Sequence, residues 1–176
     1  KLCIRARQTY VKDLNHFYRE TASLWQVDYS WEGFQWIVPD DNKQSVIAFL
    51  RRDAKGKMLL VVCNFNPVLR ESYSMGVPNP GTYKELINSD DVKYGGTGVK
   101  NGSVKSVKGP MHGFDQHIEV TLPPLSTIYF SVPAARKKAG KPAKAETAEA
   151  AKPEKAAKPA TTKTAAPKKS TAKPVA

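Results

Sequence analysis

Two acidic pairs, Asp40-Asp41 and Asp90-Asp91, come nearest in type and spacing to chemistry, because two carboxyl groups facing a scissile bond can act as nucleophile and acid. Both stand in turn-like sequence beside Asn and Ser, where Asp bonds local backbone more often than it reacts. No catalytic residue is assigned to them. His112 and His117 flank a Gly-Phe turn and read as a turn histidine and a strand histidine rather than ligands. Cys3 and Cys63 are the only cysteines, and neither has a ligand partner at short spacing, so neither a metal site nor a cofactor is expected. Two isolated thiols suit a reducing, cytoplasmic setting rather than a disulfide. Gly95, Gly96, Gly98 and Gly102 mark a long irregular loop, but no GK[ST] or GxGxxG pattern leads from it into a helix, which excludes a phosphate loop.

The elements that would carry these residues are mostly strands. Apolar, β-branched runs recur at Phe34–Ile37, Ser45–Arg51, Lys57–Phe65, Glu71–Gly76, Gly81–Asn88, Val104–Val107, His117–Leu122 and Ser126–Val132, the spacing of an all-β sandwich. Asp53-Ala54-Lys55-Gly56 predicts an antiparallel hairpin between the second and third. Pro78-Asn79-Pro80-Gly81 and Pro123-Pro124 deny ladder donors and predict reversals. Ahead of the strands, Val11, Leu14 and Tyr18 fall on one face at helical spacing with Phe17 beside them. Trp25, Tyr29, Trp31, Phe34 and Trp36 follow where that period breaks, so all three tryptophans lie at a junction. The longest apolar run, Met58–Cys63, is six residues against the ~20 that span a bilayer, and no membrane association is expected.

Beyond residue 133 the composition changes. Residues 134–176 hold no aromatic residue and twelve Lys or Arg against three Glu, so the excess positive charge of the chain belongs mainly to this tail. Such a segment buries too little apolar surface to offset its ordering entropy and is expected to be disordered. Its dispersed charge, including Arg136, Lys137, Lys138, Lys168 and Lys169, resembles linker-histone tails in composition. That suggests an alternative function, a sandwich binding polyanions or nucleic acid by counterion release.

The stretch VKDLNHFYRETASLWQVDYSWEGFQWI, the segment from Ser45 to Gly102 with its NSD…YGG loop, and HGFDQHIEVTLPPLSTIYF closely resemble the C-terminal part of bacterial 1,4-alpha-glucan (glycogen) branching enzymes of the alpha-amylase superfamily. The agreement is collinear from Thr9 to Val132. The resemblance implies an antiparallel β-sandwich of the alpha-amylase C-terminal type, with residues 1–33 ending a catalytic barrel, 34–133 forming the sandwich and 134–176 the tail. It implies that the last two strands close the domain as a pair around the Leu-Pro-Pro-Leu turn. The chain opens on Lys1 inside what reads as a helix and is expected to be a piece of a longer enzyme. The family's catalytic carboxylates lie on barrel strands and match nothing here, so the piece is expected to be inactive by itself while its partners are the barrel and α-glucan, such as glycogen or amylose-like chains. Exposed aromatic rings stack on sugar faces, which nominates Tyr94, Trp31 and Tyr29 for glucan contact. Val11, Leu14, Tyr18, Trp25, Phe34 and Trp36 are expected to fill the interface with the barrel.

Overall fold

The structure, a computed structural model, describes residues 2–135, with side chains from Ile4 onward. The expectations for Arg136, Lys137, Lys138, Lys168 and Lys169, for disorder beyond Ala135, and for the Cys3 side chain lie outside the described residues.

Helix α1 (Leu2–Glu20) is followed by nine strands: β1 (Phe34–Asp41), β2 (Val46–Arg52), β3 (Met58–Asn64), β4 (Arg70–Val77), β5 (Thr82–Asn88), β6 (Ser103–Lys105), β7 (Val107–Met111), β8 (Phe114–Leu122) and β9 (Ser126–Ser131). They form a six-stranded sheet, β1-β2-β3-β9-β5-β6, and a three-stranded sheet, β4-β8-β7, antiparallel throughout. Alternate residues point inward. Val46, Ala48, Leu50, Leu60, Val62, Tyr83, Ile128 and Phe130 from the larger sheet meet Tyr73, Met75, Val77, Ile118, Val120 and Leu122 from the smaller. β3 is apolar at nearly every position because both its faces are covered. Leu59, Val61 and Cys63 point outward and pack with Phe17 of α1, Leu24, Ile47, Phe49 and Tyr129.

The predicted hairpin joins β2 to β3, pairing Arg52 with Met58. Asp53 Oδ1 accepts from the backbone N–H groups of Lys55 and Lys57 (2.9 and 2.7 Å), and Gly56 takes the positive φ of 79° that the reversal needs.

Two expectations are corrected. Val104–Val107 is not one strand: the chain leaves the larger sheet at Ser106, whose N–H donates to Gly81 O and whose Oγ accepts from Gly81 N, and it enters the smaller sheet as β7. The strands around Leu-Pro-Pro-Leu do not pair with each other either. β8 pairs with β4 and β7 whereas β9 pairs with β3 and β5, so this turn crosses between sheets. Asn64 fixes the crossing, donating from Nδ2 to Val68 O (3.0 Å) and Pro123 O (2.8 Å).

α1 and both sheets lie in one compact unit. Among the described residues no helix is long and apolar enough to cross a membrane.

Candidate functional site

The helix faces the sandwich through Ala6, Tyr10, Asp13, Leu14 and Phe17, a 3.6-residue stripe. Val11 and Tyr18, predicted to share a face with Leu14, point the other way with Ile4 and remain about half exposed. The inward stripe docks by two aromatic edges, Phe17 on Tyr129 (5.3 Å between centroids) and Tyr10 on Tyr94 (5.0 Å). Burial pushes the Tyr129 hydroxyl up to about 12, with Tyr10 and Cys63 adding to it. Cys63 is a free buried thiol, and burial raises its pKa too.

Tyr94, nominated for glucan contact from its place beside a glycine loop, is only 9% exposed, so that reading is corrected. The loop folds back on the helix. Tyr94 donates its hydroxyl to Asp13 Oδ2 (2.9 Å), and Lys93 Nζ donates to the same oxygen (2.9 Å). These two bonds, Lys93 first, hold the Asp13 carboxyl below the ordinary carboxylate range. The Tyr94 hydroxyl and Asp13 in turn hold Lys93 protonated beyond its usual range.

Hydrogen bonds account for three of the four paired aspartates. Asp90 accepts from the N–H and Oγ1 of Thr97 (2.9 and 2.6 Å) and from Val99 N (3.2 Å), which organises the glycine loop. Gly96 is required there, since a Cβ would overlap the Asp90 carbonyl. Asp91 caps the turn at Val92–Tyr94 and pairs with Lys100 (3.1 Å), and the Lys93 backbone N–H leads in depressing its pKa. Asp41 accepts from Gln44 and from the Tyr73 hydroxyl (3.0 Å), whereas Asp40 is exposed. His112 Nδ1 accepts from Gly76 N (3.2 Å), and His117 Nδ1 lies 3.4 Å from Gly109 O. Among the described residues no group of three or more His, Cys, Asp and Glu is arranged to hold a metal ion.

The junction segment is fixed to the larger sheet. Arg51 on β2 donates to Leu24 O (3.1 Å) and pairs with Asp28, Ser23 Oγ donates to Lys57 O (2.9 Å), and Gln26 Oε1 accepts from Ala54 N (3.3 Å). Ser30 Oγ accepts from Glu32 N (3.2 Å) and starts a short turn that ends at Gly33. Gly33 is packed so closely that a Cβ would overlap the Val27 carbonyl. From this frame Tyr29 and Trp31 project almost wholly into solvent, 89% and 85% exposed. They line one groove of about 700 Å³ with Gln35, Arg52 and Asp53. Phe34, which also lines this groove, clusters with Trp36 and Phe49, centroids 4.8 to 5.8 Å apart; Phe34 is partly buried, Trp25 and Trp36 half exposed.

Residues 36–133, the two sheets almost entire, match the family model described as alpha amylase, C-terminal all-beta domain. The chain belongs to that family. It is also similar to three proteins named 1,4-alpha-glucan branching enzyme GlgB. The protein from Aromatoleum aromaticum is 47% identical over 121 residues, 68% of this chain and 19% of the relative. That from Halothermothrix orenii is 45% identical over 125 residues, 70% and 20% of the two chains. That from Rubrobacter xylanophilus is 46% identical over 126 residues, 71% and 18%. The chain thus spans about a fifth of the length of the relatives it matches. In this alpha-amylase C-terminal domain, sequence reasoning missed Tyr10 and Asp13 as the residues that dock α1. Their spacing from Phe17, seven and four residues, was the available signal.

Proposed function

We propose that this chain is the C-terminal accessory part of a bacterial 1,4-alpha-glucan branching enzyme, acting in the cytoplasm in glycogen synthesis. The observation that carries this reading is the 45–47% identity to branching enzymes over about 70% of the chain, taken with the family match across the sandwich. The parent enzyme cleaves an α-1,4 linkage and transfers the released glucan to a 6-hydroxyl. In it the sandwich buttresses the catalytic barrel, and the half-exposed row Ile4, Val11, Tyr18 and Trp25 supports an apolar contact with that barrel. The carboxylates hydrogen-bonded into turns support a structural rather than a catalytic role for this piece.

The pure chain leaves the iodine complex of amylose intact, and fused behind a branching-enzyme barrel that lacks its own C-terminal domain it restores branching. New α-1,6 linkages formed by the pure chain, or a fusion that folds but stays inactive, refute the reading. The composition of residues 134–176 supports a second activity, salt-sensitive binding of polyanions. Deleting them abolishes low-salt retention on heparin while the thermal transition of the sandwich stays in place; retention that survives the deletion refutes it.

A further inference from the structure

Asn101-Gly102 is the single Asn-Gly pair of the chain. Glycine after asparagine is the neighbour most open to succinimide chemistry, because without a Cβ nothing shields its nitrogen from the asparagine side-chain carbon. Gly102 is exposed, with φ 62° and open space where a Cβ would stand. Its N–H has no hydrogen-bond partner among the described residues.

Asn101, in contrast, is held at both ends of its carboxamide. Nδ2 donates to Thr121 O (2.9 Å) and to Glu85 Oε2 (3.2 Å), and Oδ1 accepts from Thr121 N (2.7 Å). The Asn101 backbone N–H donates to the same Glu85 oxygen (2.8 Å). The side chain thus pairs with the Thr121 peptide as a neighbouring strand would, and it clasps β8 of the smaller sheet to β5 of the larger. A carboxamide fixed by three bonds cannot swing its Cγ onto the Gly102 nitrogen until those bonds open, so reaction has to wait for a local opening of the loop.

We propose that Asn101 is a site of spontaneous deamidation, gated by opening of this clasp, and that the reaction destroys the clasp irreversibly. The Gly102 nitrogen gives its proton to hydroxide and bonds to Asn101 Cγ. The Cγ–Nδ2 bond breaks, and Nδ2 leaves as ammonia with a proton from water, which regenerates the hydroxide. Water then opens the succinimide at either carbonyl, giving aspartate from one and isoaspartate from the other, so one water enters for each ammonia lost. Either product carries a carboxylate in place of the carboxamide. Thr121 O loses its donor, and the new charge faces Glu85 Oε2. Isoaspartate also lengthens the main chain by one carbon beside Gly102, whose carbonyl accepts from Glu85 N (2.7 Å).

The test incubates the full 176-residue chain in mildly alkaline buffer, well below its thermal transition, and maps the tryptic peptide 101–105, whose Asn, Asp and isoaspartate forms separate by chromatography. A synthetic peptide of residues 97–106 gives the rate without the clasp. Release of three bonds, each worth about three- to tenfold in an equilibrium, makes the folded chain about 30- to 1,000-fold slower than the peptide. Glu85→Ala removes an acceptor and accelerates the folded chain at least about threefold, whereas Glu119→Ala, exposed on β8, leaves the rate unchanged. Asn101→Asp, which imitates one product, lowers Tm by about 5 °C or more. A folded chain that reacts as fast as the peptide overturns the gating. A Glu85→Ala chain that keeps its circular dichroism spectrum and reacts no faster overturns the role of the clasp, as does equal acceleration by Glu119→Ala. A peptide that yields no isoaspartate overturns the site itself, and an unchanged Tm in Asn101→Asp overturns the consequence drawn for the fold.

Discussion

Phe17→Ala tests whether α1 is held by the sandwich. The side chain is half-buried, with its edge on Tyr129 and contacts to the cluster of Leu59, Val61 and Cys63. Truncating a fully buried Phe costs about 3–5 kcal/mol. Half that burial, together with an aromatic pair worth ~0.5–1.5 kcal/mol, puts the loss at about 2–4 kcal/mol. A helix of 19 residues is marginal in water without packing, so undocking and unfolding are the same event. Amide exchange across α1 therefore accelerates about 30- to 700-fold. Amides of the inner core, at Leu60, Val62, Ile118 and Phe130, keep their protection. Val11→Ala, on the outward face, changes exchange no more than a few-fold. Hydrogen exchange read by mass spectrometry on peptides from residues 4–20 decides the matter. Equal acceleration in the core strands, or α1 amides already exchanging like free peptide in the unaltered chain, refutes the reasoning.

Acid should loosen the same contact. The depressed pKa of Asp13 means its contribution is fully present above the unfolded value of about 3.9 and fades as pH falls through the lower folded value, so α1 exchange rises there and Asp13→Asn removes the pH dependence. At the other extreme, Tyr83 is fully buried, donates to Asn79 O (2.8 Å) and has its pKa raised to about 12. Its contribution, up to about 3 kcal/mol, holds below pH ~10 and is lost as pH climbs toward 12, and Tyr83→Phe flattens that limb of the stability curve. Asn64→Ala removes a buried donor to Pro123 O, which keeps only the Ser126 hydroxyl, and a part-buried donor to Val68 O, costing about 2 kcal/mol and lowering Tm by about 6 °C in a thermal melt. Sedimentation of the isolated chain should show concentration-dependent self-association through Ile4, Val11 and Tyr18, and a Val11→Lys, Tyr18→Lys variant should run as a monomer.

Local pattern was enough for much of the fold. The alternation of β9, the polar Asp53–Gly56 turn and the continuous apolar runs of β2 and β3 depend on neighbours within a few residues, so the sandwich class and its main hairpin were legible in the chain. Collinear resemblance added the family, and composition separated the basic tail. Chain order did not reveal that Ser106 ends one strand and begins another in the opposite sheet, because Gly81, its hydrogen-bond partner, is 25 residues away.

The aromatic residues mark the division most sharply. Sequence could say that Tyr29, Trp31, Phe34, Trp36 and Tyr94 were rings near a junction and a glycine loop, and it favoured Tyr94 as the exposed one. Tertiary structure reversed that choice: Asp13 and Tyr10, more than 80 positions earlier, close over Tyr94, while the bonds from Arg51, Ala54 and Lys57 fold the junction so that Tyr29 and Trp31 stay outside. A side chain's chemical type is local, but its exposure is set by whatever the rest of the chain packs against it, and that depends on contacts made across long sequence separations.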